Sequence, residues 1–189
     1  MYQKFQATQL FTGTELLGDI AQNDVSKGSK APVLVIQNDG TIEAIVAEEE
    51  AGDDIQKFEG VLSPGFINAH CHLELSHMKG MIPPETGLNE FVKQIVSMRK
   101  VDEAVIQNAI ASAEQEMMEN GIVAVGDISN TTDTLAQKSN QRLAYYNFIE
   151  IYDLDPLRAS EKMTAGLQVQ KKFIDAGLIA SLIPQDRKS

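Results

Sequence analysis

Along this chain the spacing of hydrophobic and polar positions changes character near residue 62. Before that point come short β-like runs at residues 4–11, 33–36 and 41–46, and Asn38-Asp39-Gly40 between the last two is a strong hairpin signal. These predict part of a small β-sandwich over residues 1–62. After it, strand-like runs at 65–69, 122–125, 143–149 and 178–183 alternate with helical patterns, which predicts parallel βα units over residues 63–189. Leu88, Phe91, Val92, Ile95 and Val96 recur at helical spacing, as do Val105, Ala109, Ala113 and Met117, and both stripes read as core faces. Asp102 stands where the second helix needs a cap, and Asn120-Gly121 where it should close. A further helix is expected over 157–176, ended by Gly177. No internal repeat or low-complexity segment suggests another architecture.

The chemistry concentrates where the first of those strands ends. Pro64-Gly65 marks a sharp turn into an apolar run that leads to His70-Cys71-His72. Side chains alternate along a strand, so positions i and i+2 can offer two imidazole nitrogens to one metal ion. The carboxyl ends of strands are also where barrel enzymes gather their active sites. A histidine pair at this spacing also arises by chance on exposed strands. The cupin barrel, another architecture with such a pair, expects a glutamate four or five residues later, where this chain has Ser76 and His77. Metal-assisted catalysis is therefore the leading expectation. Cys71, the only cysteine, rules out an intrachain disulfide and is turned by alternation to the opposite face, where it reads as packing.

Composition narrows the partners. The formal net charge of −11 disfavours binding to nucleic acid or to an anionic membrane, because phosphate recognition needs clustered Lys and Arg. Glu48-Glu49-Glu50 and Asp53-Asp54 read as a solvated turn. No stretch approaches the ~20 apolar residues that span a bilayer, and the first residues carry no long apolar core of a leader, so a cytoplasmic location is expected. With 189 residues and 43% hydrophobic content, the chain can build one domain and a portion of another.

Three segments carry a family resemblance: VLSPGFINAHCHLELSHMKG at residues 61–80, TGLNEFV at 86–92 and NGIVAVGDISN at 120–130. The first resembles the opening barrel strand of the amidohydrolase superfamily. The others are similar to its cytosine-deaminase-like and chlorohydrolase-like branch, and within that to aminodeoxyfutalosine deaminase-type hydrolases. The resemblance implies an α/β fold: the first half of a metal-dependent hydrolase TIM (β/α)8 barrel, about four βα units, behind a partial β-sandwich. It implies a divalent metal ion, zinc before iron, held by His70 and His72 with further histidines and an aspartate from later strands. The complete site would acidify water, so that hydroxide attacks an amino-bearing carbon of a purine- or pyrimidine-like ring and ammonia leaves. The substrate is then a small molecule.

The same resemblance nominates substrate contacts near the barrel mouth. Glu74 is one, with a solvent-exposed loop carboxylate as the alternative; His77 is a second, with an ordinary loop histidine as the alternative. Asp127 is the third, and a helix-capping or turn role serves it equally well. The proton-transfer residues are expected outside these 189 residues. In the resembling branch the fourth strand runs into a His-Ala-Pro-Tyr-like segment, whereas here Ile183-Pro184 is followed by Gln185-Asp186-Arg187-Lys188-Ser189. The chain is thus expected to be truncated and inactive alone. Opening of a cyclic amide, or a noncatalytic remnant, remains open. So does a subunit that completes its barrel with another chain, or a homodimer.

Overall fold

The computed structural model of the chain describes residues 2–18, 31–153 and 155–184. Two compact units divide it, Met1–Pro64 and Gly65–Ser189. The tail 185–189 lies outside the described residues.

The first unit contains β1 (Tyr2–Gln6), β2 (Gln9–Phe11), β3 (Leu16–Leu17), β4 (Val33–Gln37), β5 (Ile42–Val46), α1 (Glu48–Ala51), β6 (Ile55–Lys57) and β7 (Val61–Leu62). They form a four-stranded sheet ordered β5-β4-β1-β6 and a three-stranded sheet ordered β3-β2-β7. The single run expected over 4–11 is therefore two strands, broken at Ala7-Thr8, that join different sheets. The hairpin forms as its turn residues dictate. Gly40 adopts φ 87, and the Gln37 amide donates to the Thr41 carbonyl at 2.8 Å. The acidic run is not simply a solvated turn. Its residues open α1, and Glu48 accepts from Lys57 Nζ at 2.6 Å and from Gln6 Nε2 at 3.1 Å.

The second unit runs β8 (Phe66–Cys71), a 3-10 segment (Leu73–Met78), α2 (Leu88–Met98), α3 (Glu103–Glu119), β9 (Ile122–Ser129), α4 (Leu135–Lys138), β10 (Ala144–Ile151), a 3-10 turn (Pro156–Arg158), α5 (Ala159–Asp175) and β11 (Ile179–Pro184). Its four strands are all parallel and stand in the order β11-β10-β9-β8. Parallel neighbours need a crossover of a dozen or more residues, which α2 with α3, α4 with its flanking loops, and α5 supply. Helix α3 packs on β9 and the 3-10 segment, burying Leu73, Ile110, Val125, Leu143 and Tyr145 in one cluster. Helix α5 covers β10 and β11 and drives Phe173 fully inside.

Two helix faces differ from the sequence pattern. The α2 stripe is not a core face: Leu88, Phe91 and Val96 are exposed, and the helix buries no residue. In α3 the face turns slightly, so that Ile110 and Glu114 are its buried residues while Val105 is exposed and Ala113 and Met117 pack at the margin. Asp102 precedes that helix but caps it with its backbone carbonyl, which accepts from Val105 at 2.9 Å; its side chain makes no capping bond. Gly121, at φ 76, closes the helix as expected.

Candidate metal centre

β8 pairs with β9, and the register shifts twice, between Phe66 and Ile67 and between Asn68 and Cys71. Asn68 stands opposite Val125 and Cys71 opposite Asp127, so β8 carries one extra residue in the stretch holding Ala69 and His70. A bulge of this kind re-aims side chains at the end of a strand. Gly126 permits it: a Cβ there would lie 2.8 Å from the Ala69 carbonyl oxygen and 3.2 Å from the Phe148 ring.

At the bulge and just past it the two imidazoles come together. The rings of His70 and His72 lie 5.3 Å apart, centroid to centroid, and are inclined at 62°. His70 is exposed and its amide donates to Asn68 Oδ1 at 3.3 Å, while His72 is half-buried. His72 Nδ1 is shielded from solvent with no hydrogen-bond partner. A buried polar nitrogen left unpaired costs on the order of 1–3 kcal/mol, which a ligand to that ring would offset. Cys71 faces the other way and packs against the α3 core. Burial, with the charge of Asp127 second, pushes its thiol up to about 12.

Asp127 and Glu74 are both buried, in a reciprocal arrangement. Asp127, on β9, accepts the Leu73 amide of the β8 loop at 2.8 Å. Glu74, in that loop, accepts the amides of Asn130 and Thr131 after β9 at 3.0 and 2.9 Å, and the Thr131 hydroxyl at 2.8 Å. Each strand end thus supplies a carboxylate to the backbone of its neighbour. Glu74 also pairs with Arg99 just beyond α2.

The second oxygen of Asp127 accepts from Ser129 Oγ at 3.1 Å and from the ammonium of Lys138, a residue with no solvent exposure. Lys138 donates as well to Asn147 Oδ1 at 2.6 Å, and its Nζ stands 5.1 Å from the centroids of both the Tyr145 and Phe173 rings. Burial lowers the Lys138 pKa, with the charge of Asp127 opposing that shift. His77, in the 3-10 segment, keeps both ring nitrogens shielded and without partners.

The structure therefore brings His70 and His72 to one place and engages Glu74 and Asp127 with the strand ends. Among the described residues no group of three or more His, Cys, Asp or Glu is arranged to hold a metal ion. Two imidazoles suit zinc, but a catalytic zinc normally has three protein ligands. A cavity of about 450 Å³ opens near the ends of β9 and β10, lined by Arg99, Asn130, Thr131, Asp153 and Arg158 among others, and neither histidine lines it. Sequence reading missed Arg99, Glu114, Lys138 and Asn147. Glu114 accepts from the Tyr145 hydroxyl at 2.9 Å inside the core. The only available signal was a charged or amide residue within an otherwise apolar period, and for Lys138 even that is absent.

The four parallel strands with crossover helices make a mixed α/β unit, with a histidine pair at the end of the first strand. The amidohydrolase family matches residues 61–176, and the chain belongs to it. Over 129 residues it is 25% identical to the 5-methylthioadenosine/S-adenosylhomocysteine deaminase of Haloarcula marismortui, a match covering 66% of this chain and 29% of that one. Its fold is similar to Helicobacter pylori aminofutalosine deaminase in complex with methylthio-coformycin, with TM-score 0.70, 24% identity, and coverage of 96% of this chain and 43% of that one. It is also similar to the zinc complex of atrazine chlorohydrolase TrzN from Arthrobacter aurescens TC1, with TM-score 0.62, 14% identity and coverage of 96% and 46%. The chain spans less than half the length of each of these proteins. Among the described residues no helix is long and apolar enough to cross a membrane.

Proposed function

We propose that the chain is part of a metal-dependent hydrolase acting on carbon–nitrogen bonds other than peptide bonds, its reaction being the hydrolytic deamination of a purine- or pyrimidine-like ring. The observation that carries this reading is the imidazole pair at the end of β8, with His72 Nδ1 buried and unpartnered. The two deaminases among the similar proteins support the choice of reaction. In this reading β8 to β11 are the first four strands of a (β/α)8 barrel, and the strands before Pro64 belong to a small β-sandwich.

His70 and His72 would hold a divalent metal ion, zinc before iron, as the zinc complex of the similar chlorohydrolase supports. When bound, the ion would supply Lewis acidity, lowering the pKa of water to roughly 7. Glu74 and Asp127 hold the neighbouring strand ends, and the ring nitrogens of His77 are shielded and without hydrogen-bond partners. The remaining ligands and the proton-transfer group belong to later strands of the family's barrel, supplied by a completing chain in a split arrangement; homodimerisation is a separate partner expectation. The substrate is a small molecule and the compartment the cytoplasm; the net charge of −11 argues against a nucleic-acid or anionic-membrane partner. The test is ammonia release from aminopurine and aminopyrimidine nucleosides by residues 1–189 joined to a completing half. Turnover abolished by EDTA and by His72→Ala is the expected result; opening of a cyclic amide without ammonia would overturn the deaminase reading.

A further inference from the structure

We infer that Asp127 is a positioning residue for His72, acting through the Leu73 amide. The inference rests on the metal-binding reading of the histidine pair. β8 ends at Cys71, and His72 leaves the strand at φ −123, ψ 71, its carbonyl accepting the Leu75 amide at 2.9 Å. The next peptide is also held from the side, by the 2.8 Å bond from the Leu73 amide to Asp127 Oδ1. That acceptor is itself immobilised: it is fully buried and its other oxygen is tied to Ser129 and Lys138. Glu74 returns the grip two residues further on, through the Asn130 and Thr131 amides. The turn carrying His72 is thus pinned on both sides of Leu73 to the β9 end. A ring whose backbone is fixed in this way is held beside His70 before any ion arrives. Outer groups that orient metal ligands typically govern affinity by about 10- to 100-fold.

The experiment is a zinc titration of the purified 189-residue chain against a chromophoric chelator, with hydrogen exchange at the Leu73 amide as a second readout. Wild type should take up zinc, and His70→Ala should abolish it. Asp127→Ala should lose protection at Leu73 and bind zinc about tenfold more weakly or worse. Asp127→Asn keeps an oxygen in place for the Leu73 amide but removes the charge facing Lys138, so it should lose stability yet hold zinc nearly as wild type does. That split is the signature of positioning. If Asp127→Asn loses as much zinc affinity as Asp127→Ala, or if Asp127→Ala loses Leu73 protection with no change in zinc affinity, the positioning role is overturned while the metal-binding reading stands. If wild type takes up no more zinc than His70→Ala, the metal-binding reading falls and the inference falls with it.

Discussion

Lys138→Met would remove an amine from a place with no solvent and leave a stem of similar length. Asp127 would remain buried with the Leu73 amide, the Ser129 hydroxyl and the Cys71 thiol as its neutral donors. Removing one member of a buried pair costs about 3–5 kcal/mol, and the surviving donors put this case near the lower limit. Loss of the bond to Asn147 Oδ1 adds about 1 kcal/mol. The sum, about 4 kcal/mol, is a large part of the roughly 5–15 kcal/mol that hold a domain folded. Asp127→Asn alone strands the Lys138 ammonium among neutral acceptors and should cost about 3 kcal/mol. The double variant removes both charges together, leaving mainly the lost hydrogen bonds at about 1–2 kcal/mol. Urea unfolding of the four proteins at pH 7, followed by far-ultraviolet circular dichroism, measures the cycle. Single losses that add to within about 0.5 kcal/mol in the double variant would refute the coupling drawn from the geometry.

Other outcomes follow from the same contacts. Cys71, with its thiol at about 12 against the usual 9.0, should react with a thiol reagent at pH 8 about a thousandfold more slowly in the folded chain than in urea. Because the folded chain keeps a proton that the unfolded thiol releases, stability should fall as pH rises from 9 towards about 12, and Cys71→Ala should flatten that limb of a pH series of melts. Gly166→Ala would set a Cβ 2.7 Å from Ile151 Cδ1 and Cγ1; it should lower the melting temperature by an amount equivalent to about 1–3 kcal/mol, and adding Ile151→Ala should recover part of that loss. The 189-residue chain alone should release no ammonia from any nucleoside; EDTA-sensitive release that His70→Ala abolishes would contradict this.

What could be read from the sequence, and what could not, follows from how far each signal reaches. The strand-like runs and the helical patterns between them are local properties, and they located the four strands of the second unit to within a few residues. The histidine pair was equally legible, because alternation alone puts residues i and i+2 on one face. The bulge beside it was not, since it depends on Gly126 of another strand. The α2 stripe misled because periodicity reports an amphipathic helix without saying whether anything covers its apolar face. Glu74 and Asp127 were singled out from their places near the strand ends. Their pairing across two loops needs a register that no single segment contains.

The strand order β11-β10-β9-β8 also bears on the sequence of events during synthesis. Each strand pairs only with the one made just before it or just after it, so every crossover unit can dock on finished structure as it leaves the ribosome. The amine of Lys138 marks a point along that route. Asp127 and Ser129 precede it in the chain, whereas Asn147 and the Tyr145 and Phe173 rings follow. A nascent chain that has emerged only as far as α4 therefore holds a charged side chain half provided for, and the arrival of β10 and then α5 seals it.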